Sequence, residues 1–378
     1  MHASEPRRTY VAKISDLSSE LQSQLKFSLH VSGVHATFVP MGLPNHRGRP
    51  GNPFFHFNYQ VAYPIPEALT FEVYTASGIL LYTLNIAPEF RNPGHYELCW
   101  DGFDQQDVFD SRVFTQSLEA RLIIVTENTS TQLTACFKCQ YARVKWIDIK
   151  IDRRSNRIDA LLITNFSDGG ENKNGNRNRT YAELLKLAQE GLAYHWGRNA
   201  AHPFAKGITL ESGERYGFYL KTDNRPLNAI SSPKIIYQSN SRSRRSRNWE
   251  LSRLLFYNTG ALKYGSRWFH KSDKKADADF KQIAAHEIGH EILLAYGGHI
   301  HSKSHKGSST ILTQRPLGNF NYPSEGEIDL MIYYQENAQS PHPADYNERN
   351  VASENDVLSL IWLSQLKVVL LSDKTVSG

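Results

Sequence analysis

The sequence predicts an α+β protein of two domains, with a β-sandwich ahead of a mixed domain of helices and strands. The chain has 378 residues, which is more than a single hydrophobic core usually holds. Short β-rich runs separated by turn residues fill residues 30–150, as is typical of a β-sandwich. Helical and strand-like patterns are mixed over residues 151–378, so we expect the second domain there.

Residues 1–29 are predicted to form a polar leader with one short amphipathic helix. The apolar positions of that helix are Leu17, Leu21 and Leu25. An arginine pair in the leader is not followed by the apolar stretch of a secretory signal, and no segment is long and apolar enough to cross a membrane. We therefore expect synthesis in the cytoplasm without a signal peptide.

Charge and cysteine content narrow the class of protein further. The net charge of +5 comes without a basic helix or an interleaved aromatic stripe, so no nucleic-acid partner is expected. Three cysteines are too few for a disulfide framework. Cys136 and Cys139 have the C-x-x-C spacing but no second pair, and we expect structural thiols there; a metal or redox pair is the alternative.

The predicted β-sandwich depends on five β-rich runs. These are residues 54–63, 69–74, 80–86, 118–126 and 132–149. A more specific stretch, G-H-Y-E-L-C-W-D-G-F-D, occupies residues 94–104. We expect Trp100 to fill the core of this hairpin and Asp101 and Gly102 to shape its turn. A sugar-binding Trp100 is the alternative.

The second domain opens with a run rich in Asn and Gly at residues 165–180, which is predicted to be a linker or surface loop. A helix is expected over residues 180–196. Strands are expected over residues 207–210, 215–220 and 234–237. The basic run at residues 239–248 is predicted to be a solvated loop, with a patch for anionic polymers as the alternative. Ser353 begins a pattern typical of a final core helix.

Residues 286–290 read His-Glu-Ile-Gly-His and match the helical zinc motif H-E-x-x-H. Residues four apart lie one turn above each other on a helix, so His286 and His290 can reach a single ion. Glu287 falls on nearly the same face, where it could hold a metal-bound water and take its proton. The motif therefore predicts a catalytic metal site.

The residues around this motif favour a helix. Asp277 and Asp279 offer N-capping oxygens, and no proline occurs over residues 280–296. Gly297-Gly298 provides a C-terminal stop. We therefore expect one helix between these signals, with a His-rich polar segment behind it.

Three stretches in order resemble the metallopeptidase toxin domain at the C-terminus of some VgrG spike proteins of type VI secretion. They are HEIGHEILLAYGG with HSKSHKGSS, then GEIDLMIYY, then VASENDVLSLIWL. The W-D-G-F-D hairpin resembles the β-domain that precedes this peptidase and the immunoglobulin-like domain of the flagellar hook-capping protein. The resemblance covers most of residues 30–370. It implies an immunoglobulin-like β-sandwich followed by a zincin-like metallopeptidase domain.

The same resemblance implies a set of site residues. His286 and His290 would be ligands of Zn²⁺, Glu287 the catalytic base, and a downstream glutamate the third ligand, as in gluzincins. The metzincin pattern H-E-x-x-H-x-x-G-x-x-H is not met, because Leu293 and Tyr296 stand where its glycine and last histidine would be. A gluzincin-like site is therefore expected.

Glu327 is the predicted third ligand, because a second helix could carry it to the ion with Met331 and Tyr334 packed below. Tyr333 and Tyr334 are candidate partners of the oxyanion. His305 is the main alternative, either as a ligand or as a residue that orients Glu287 or a ligand. The remaining candidates are His299, His301, Asp329 and Glu336.

The predicted function is that of a zinc endopeptidase that acts as a secreted antibacterial toxin. By resemblance, it would act in the periplasm of the target cell on a peptide or protein substrate of the envelope. The expected partners are a cognate immunity protein and a VgrG spike or adaptor. Two alternatives stay open: an endopeptidase of peptidoglycan cross-bridges, and a non-catalytic two-domain adaptor with a structural zinc.

Overall fold

The computed structural model describes residues 9–15, 26–34, 36–173, 178–318, 320–338 and 340–370. The protein has an α+β fold that is rich in β structure, with 41% strand and 18% helix. The short helix predicted around Leu17, Leu21 and Leu25 falls outside the described residues. Within the described ranges, no helix combines the length and apolar character that a membrane span requires.

The elements are numbered in chain order. The strands are β1 (Thr9–Ser15), β2 (Ser28–Ser32), β3 (Thr37–Phe38), β4 (Phe55–Val61), β5 (Ala68–Thr75), β6 (Leu80–Asn85), β7 (Gly94–Trp100), β8 (Val108–Asp110), β9 (Leu118–Val125), β10 (Ser130–Tyr141), β11 (Ile147–Asp152), β12 (Arg157–Thr164), β13 (Ser167–Lys173), β14 (Ile208–Thr209), β15 (Arg215–Asn224), β16 (Lys234–Arg242), β17 (Arg247–Trp249), β18 (Ser252–Tyr264), β19 (Arg267–Lys271), β20 (Ile328–Asp329), β21 (Asn350–Val351) and β22 (Leu366–Leu370). The α-helices are α1 (Ser111–Phe114), α2 (Tyr181–His195), α3 (Asp273–Tyr296), α4 (Tyr346–Arg349) and α5 (Glu354–Trp362).

Two antiparallel sheets pack face to face in the N-terminal part. One has the strand order β1-β7-β4-β2, and the other has the order β3-β22-β10-β9-β5-β6. Buried residues alternate with half-buried ones along β4 and β5, so one face of each sheet is apolar. The ring centroid of Phe57 in the first sheet lies 4.9 Å from that of Phe71 and 5.7 Å from that of Phe137 in the second. The β-rich runs predicted from the sequence are confirmed, and the longest divides into β10 and β11.

The hairpin that follows β7 has the predicted core tryptophan. Trp100 is only 1% exposed, and its indole Nε1 donates to the carbonyl oxygen of Phe103 at 2.9 Å. One carboxylate oxygen of Asp101 accepts from the Phe103 amide at 3.2 Å, and the other accepts from Arg153 at 2.6 Å. Gly102 has φ +80°, which a residue with a Cβ rarely adopts. The predictions for Trp100, Asp101 and Gly102 are therefore confirmed.

Trp100→Ala is expected to lower the free energy of unfolding by about 3–5 kcal/mol, because the cavity left behind cannot be filled by its neighbours. Phe55 and Phe114 contact the indole, with ring centroids 5.7 and 5.5 Å away. The measurement is chemical denaturation of both proteins. Trp268→Ala is the matched control, since that indole is 59% exposed on β19. Equal stability of the two variants would contradict the core role of Trp100.

Two further sheets form the part of the molecule that carries the metal motif. One has the order β14-β15-β12-β11-β8; in the other, β13, β16 and β18 run parallel, with β17 and β19 antiparallel to β18. The helices α2 and α3 pack against these strands and against each other. A Cβ on Gly191 of α2 would lie 2.1 Å from the carbonyl oxygen of Lys281, so glycine at this position lets α2 pack directly on α3. The indole Nε1 of Trp196, at the end of α2, donates to the Ala285 carbonyl of α3 at 3.2 Å and so holds the two helices together.

The boundaries predicted at residues 29 and 150 do not separate independent sheets. Strand β1 of the predicted leader pairs with β7, and β8 of the predicted sandwich pairs with β11 in the sheet that contains β12 and β15. At the other end of the chain, β22 pairs with β10 and β3 in the six-stranded sheet. Pairing between distant strands leaves no local signal in a sequence, so the predicted domain boundaries could not take it into account.

The segment at 165–180 is not only a linker, because β13 pairs in parallel with β16. A Cβ on Gly169 would lie 2.7 Å from Cγ1 of Ile236, so this glycine reflects close packing against the neighbouring strand. The helix predicted to follow is confirmed as α2. Thr180 and Glu183 form its capping box.

Candidate metal centre

Helix α3 carries the H-E-x-x-H motif and is longer than predicted. It begins after Ser272, whose hydroxyl accepts the capping hydrogen bond. Asp277 and Asp279 lie inside the helix, where they do not cap it. Asp277 binds Arg179 at 2.7 Å, and Asp279 binds Lys271 at 2.6 Å, so both carboxylates tie the helix to neighbouring segments.

The helix ends as predicted, and the chain behind it returns to the motif. Gly297 has φ +89° and its amide donates back to the last turn. The returning loop places His305 beside His286 and His290. One potential ligand atom from each of the three side chains lies within 4.8 Å of the other two. All three residues are buried.

Hydrogen bonds orient two of these imidazoles. Nδ1 of His286 lies 2.7 Å from the carbonyl oxygen of Leu330, to which it can only donate. Nδ1 of His305 lies 2.8 Å from the hydroxyl of Ser309. When Nδ1 carries the proton, Nε2 keeps a lone pair, and such partners are typical of metal-ligating histidines. His286 therefore keeps a lone pair on Nε2, and His305 does so when its Nδ1 donates to Ser309.

The buried nitrogens of this group lack the partners that buried polar atoms normally have. Nε2 of His286, Nε2 of His305 and Nδ1 of His290 are buried without a hydrogen bond. Burial lowers the pKa of His286 to about 4 and lowers the pKa values of His290 and His305 as well, so all three are neutral near pH 7. Three neutral imidazoles are a donor set that fits Zn²⁺, with the fourth position left for water. The residues therefore fit the predicted cofactor.

A second group of side chains of the types that bind metals lies on the outer face of β4 and β7, but its polar atoms have hydrogen-bond partners. Nδ1 of His56 lies 3.0 Å from the carboxylate of Glu97, and Nε2 lies 3.3 Å from Asn52. Sγ of Cys99 lies 3.5 Å from the same Nδ1. Because these polar atoms satisfy one another, the group needs no ion.

Glu287 lies beside the histidines, with its side chain next to two cavities. It is 6% exposed, and burial raises its pKa to about 8 although Arg245 acts in the opposite direction. Its backbone carbonyl accepts a hydrogen bond from the side-chain Nδ2 of Asn248 at 3.0 Å, which links the motif to strand β17. Its side chain borders a cavity of about 330 Å³ that His286 also lines. A substrate could therefore reach this carboxyl group.

Glu327 does not join the histidines, contrary to the sequence-based expectation. Both of its carboxylate oxygens accept from Arg198, at 2.7 Å each. Residues 328–338 contain no helix; they begin instead with the two-residue strand β20 and a turn. His305 occupies the place that the sequence analysis gave to Glu327, and Arg198 supplies the physical reason for the difference.

The two adjacent tyrosines have different surroundings. The ring of Tyr333 stacks on His305, with centroids 3.4 Å apart, and lies 5.7 Å from that of His286. The Tyr333 hydroxyl accepts a hydrogen bond from Arg245. The Tyr334 hydroxyl accepts from the Asp329 amide at 3.1 Å, away from the histidines. Of the two candidates, only Tyr333 is in a position to contact a ligand at the centre.

The remaining candidates lie outside the group of three histidines. His299 is nearest: its ring centroid is 5.9 Å from that of His290, and its Nε2 accepts from the Lys306 amide at 3.4 Å. His301 and Glu336 are exposed. Asp329 forms an ion pair with Lys306. None of these side chains is grouped with the three histidines as a ligand.

A methionine in a turn lies directly beneath the motif. Met331 is fully buried, and a Cβ on Gly289 would lie 2.4 Å from its sulfur. Glycine between the two motif histidines therefore lets the turn pack against the helix backbone. The same turn contains Leu330, whose carbonyl orients His286, so this contact also positions a ligand.

Lys306 anchors the loop that carries His305. Its ammonium lies 2.6 Å from the carboxylate of Asp329, 2.6 Å from that of Asp356 and 3.1 Å from the hydroxyl of Ser353. Asp356 also accepts from the hydroxyl of Tyr296 at 2.6 Å. Lys306, whose side chain is 21% exposed, thus joins the His305 loop to the methionine turn and the start of α5, and Asp356 extends this link to the end of α3.

Lys306→Met is expected to weaken zinc binding by about 10- to 100-fold, as is typical when a residue that supports a ligand is lost. It should also lower the free energy of unfolding by about 3–5 kcal/mol, since the buried carboxylate of Asp356 and the partly buried one of Asp329 lose their partner. Lys281→Met is the matched control: Lys281 pairs with Glu190 in an exposed contact, so little change is expected. Chelator competition and thermal melting give both quantities. Unaltered zinc affinity in Lys306→Met would remove its positioning role.

Sequence analysis missed two site residues that belong to the basic run at 239–248. The guanidinium of Arg245 lies 5.4 Å from the ring centroid of Tyr333 and donates to its hydroxyl, and the side chain of Asn248 donates to the backbone carbonyl of Glu287. The run is not only a solvated loop, because it includes the end of β16 and strand β17 at the edge of the sheet above α3. The density of arginines in this run is the one feature of the sequence that could have indicated a role at the site.

No protein-family model and no curated protein matches this chain. Among solved structures, it is similar to a β-glucuronidase of Parabacteroides merdae with glycerol in the active site, at 9% identity and a TM-score of 0.19, over 72% of this chain and 33% of that one. A β-glucuronidase of Bifidobacterium dentium complexed with coumarin-3-O-glucuronide matches at 8% identity and a TM-score of 0.14, over 57% and 30%. The chain thus spans about a third of these structures. Likenesses this low carry no argument about fold or function.

Proposed function

We propose that the protein is a zinc-dependent endopeptidase in which His286, His290 and His305 hold the ion and Glu287 is the general base. The observation that carries the proposal is the set of buried imidazole nitrogens without partners, next to a carboxyl group that faces a cavity. We also propose that the two packed sheets are an immunoglobulin-like sandwich and that the motif-bearing part is zincin-like.

Zinc bound at this centre would polarise the scissile carbonyl and lower the pKa of a bound water. Glu287 is placed to take the proton of that water and to pass it to the leaving amine. Burial raises the pKa of Glu287 to about 8, and a cation held by the three histidines would lower it again and favour the carboxylate that accepts the proton. Tyr333 and Arg245 line the same cavity as Glu287 and carry hydrogen-bond donors, so they are the candidates for stabilising the oxyanion.

The geometry favours a three-histidine zincin over the glutamate-ligand type implied by the sequence resemblance. A third histidine from beyond the helix and a methionine turn beneath the ligands are features of metzincins. His305 and Met331 supply both here. The metzincin spacing is not met, because the helix continues through Leu293 to Tyr296 and a longer loop, anchored by Lys306, then brings His305 back to it.

The experiment that tests this proposal is hydrolysis of an unfolded protein substrate before and after metal removal. The purified protein should cleave the substrate, lose this activity on treatment with a chelator and regain it when zinc is added. A serine protease inhibitor is the control for contaminating proteases. Hydrolysis that persists in the metal-free protein would contradict the proposal.

We further propose that this peptidase is an antibacterial effector that acts in the periplasm of a target cell, with an immunity protein and a spike or adaptor as partners. This step is supported by the sequence resemblance alone. Expression with an added export signal should harm a susceptible cell more than cytosolic expression does. Equal growth in both cases would remove the periplasmic assignment.

A second candidate function is cleavage of peptidoglycan cross-bridges, which the arginines beside the cavity favour because peptidoglycan stems carry carboxylates. Release of cross-link fragments from purified sacculi would test it. The adaptor alternative requires a structural zinc with four protein ligands. It is disfavoured because the described residues group three histidines without a fourth protein ligand, and because a cavity lies beside Glu287.

A further inference from the structure

The cavity next to Glu287 has a strongly asymmetric charge. Its lining includes the cationic residues Arg244, Arg245 and Lys271, whereas Glu287 is its one carboxylate. A smaller cavity on the His290 side is lined by Arg245, Arg247 and Lys303, again with Glu287 as the only acid. Cations therefore border the centre on both sides.

Among the described residues, two cations of the larger cavity lack an anionic partner. Lys271 is neutralised by Asp279 at 2.6 Å. Within the described part of the chain, neither Arg244 nor Arg245 lies within ion-pair distance of a carboxylate. Arg245 donates to the uncharged hydroxyl of Tyr333, and the side chain of Arg244 is exposed at the cavity wall. By contrast, Arg198 pairs with Glu327 and Arg253 pairs with Glu291.

We propose that this cavity is a subsite for a carboxylate of the substrate, placed beside the scissile bond and bound by Arg244 and Arg245. The inference rests on the proposed endopeptidase function and names its substrate class as acidic peptides. Guanidinium groups bind carboxylates through paired, charge-assisted hydrogen bonds, and a cavity of about 330 Å³ has room for an acidic side chain.

The larger cavity lies on the His286 side of the centre, and His290 lines only the smaller one. A peptide that crosses the centre would therefore meet Arg244 on one side of the scissile bond only. The smaller cavity, at about 10 Å³, has no room for an acidic side chain, so the preference for an acidic group should be one-sided. The carboxylate can come from an Asp or Glu side chain or from the end of the peptide, and the two sources need separate tests.

The test is cleavage-site profiling of the zinc-loaded protein with a random peptide library whose C-termini are amidated. Asp and Glu should be enriched at one or two positions on one side of the cleaved bond. Arg244→Glu should replace this enrichment by Lys and Arg, and Arg244→Lys should retain it. Arg242→Glu is the matched control, because it makes the same charge change at the exposed last residue of β16, which lines neither cavity. A parallel library with free C-termini shows whether the terminal carboxylate is preferred instead.

Binding separates failure of this inference from failure of the proposed function. The zinc-loaded Glu287→Gln protein should bind a fluorescent acidic peptide about tenfold more tightly than the same peptide with Asn and Gln in place of Asp and Glu. In the double variant with Arg244→Glu, the two peptides should bind equally. Absence of hydrolysis together with this preference would reject the peptidase but support the subsite. No acidic preference in either cleavage or binding, or equal profiles for Arg244→Glu and Arg242→Glu, would overturn the subsite.

Discussion

Glu287→Gln is expected to lower peptide hydrolysis by about 10²- to 10⁴-fold, the typical contribution of a general base. The amide keeps the shape of the side chain but cannot accept the proton of the attacking water. Zinc content should stay at that of the unmodified protein, because the ligands are untouched. Burial already disfavours the charged carboxylate at this position, so the neutral amide should not lower the melting temperature.

Glu291→Gln is the matched control for this experiment. Glu291 lies one turn along the same helix and pairs with Arg253 at 3.3 Å, outside the cavities at the centre. It should retain hydrolysis. If Glu287→Gln hydrolysed the peptide as fast as Glu291→Gln, the acid–base role of Glu287 would have to be abandoned.

The second large effect is expected for the third ligand. His305→Ala should reduce zinc affinity by more than about 100-fold, because even the loss of a residue that only supports a ligand costs 10- to 100-fold. Glu327→Ala should keep the zinc and lose about 1–3 kcal/mol of stability instead, since Arg198 is almost fully buried and loses its carboxylate partner while Glu327 is partly exposed. The two variants therefore separate the structural assignment from the sequence-based one.

Chelator competition gives the zinc affinities, and denaturant unfolding of the metal-free proteins gives the stabilities. Double replacement of Arg198 and Glu327 by Met and Gln is a useful control, because it removes both charges at once and should restore part of the stability. Loss of zinc from Glu327→Ala with retention in His305→Ala would reverse the assignment.

Local spacing explains which parts of the site could be predicted from the sequence. His286, Glu287 and His290 follow from helical periodicity within a few residues, and Gly297 marks the helix end by its own conformational freedom. The β-strands and the buried Trp100 also follow from local patterns. Each of these features depends on neighbours in the chain.

The third ligand depends on distant contacts and could not be predicted in this way. His305 reaches the helix because Lys306 binds Asp329 and Asp356, far along the chain. Glu327 is unavailable because Arg198, which follows α2, binds both of its oxygens. The same limit explains β22, whose place beside β10 and β3 depends on residues more than two hundred positions away.

The most direct test of the central claim is zinc content combined with X-ray absorption spectroscopy of the purified protein. The account predicts one zinc per chain, bound by three imidazole nitrogens and at least one light atom that the protein does not supply, as in an open catalytic site. The His305→Ala protein, loaded at high zinc concentration, should show one imidazole fewer. A zinc ion with four protein ligands, a spectrum with sulfur or carboxylate ligands in place of the third imidazole, or no bound zinc at all would contradict it.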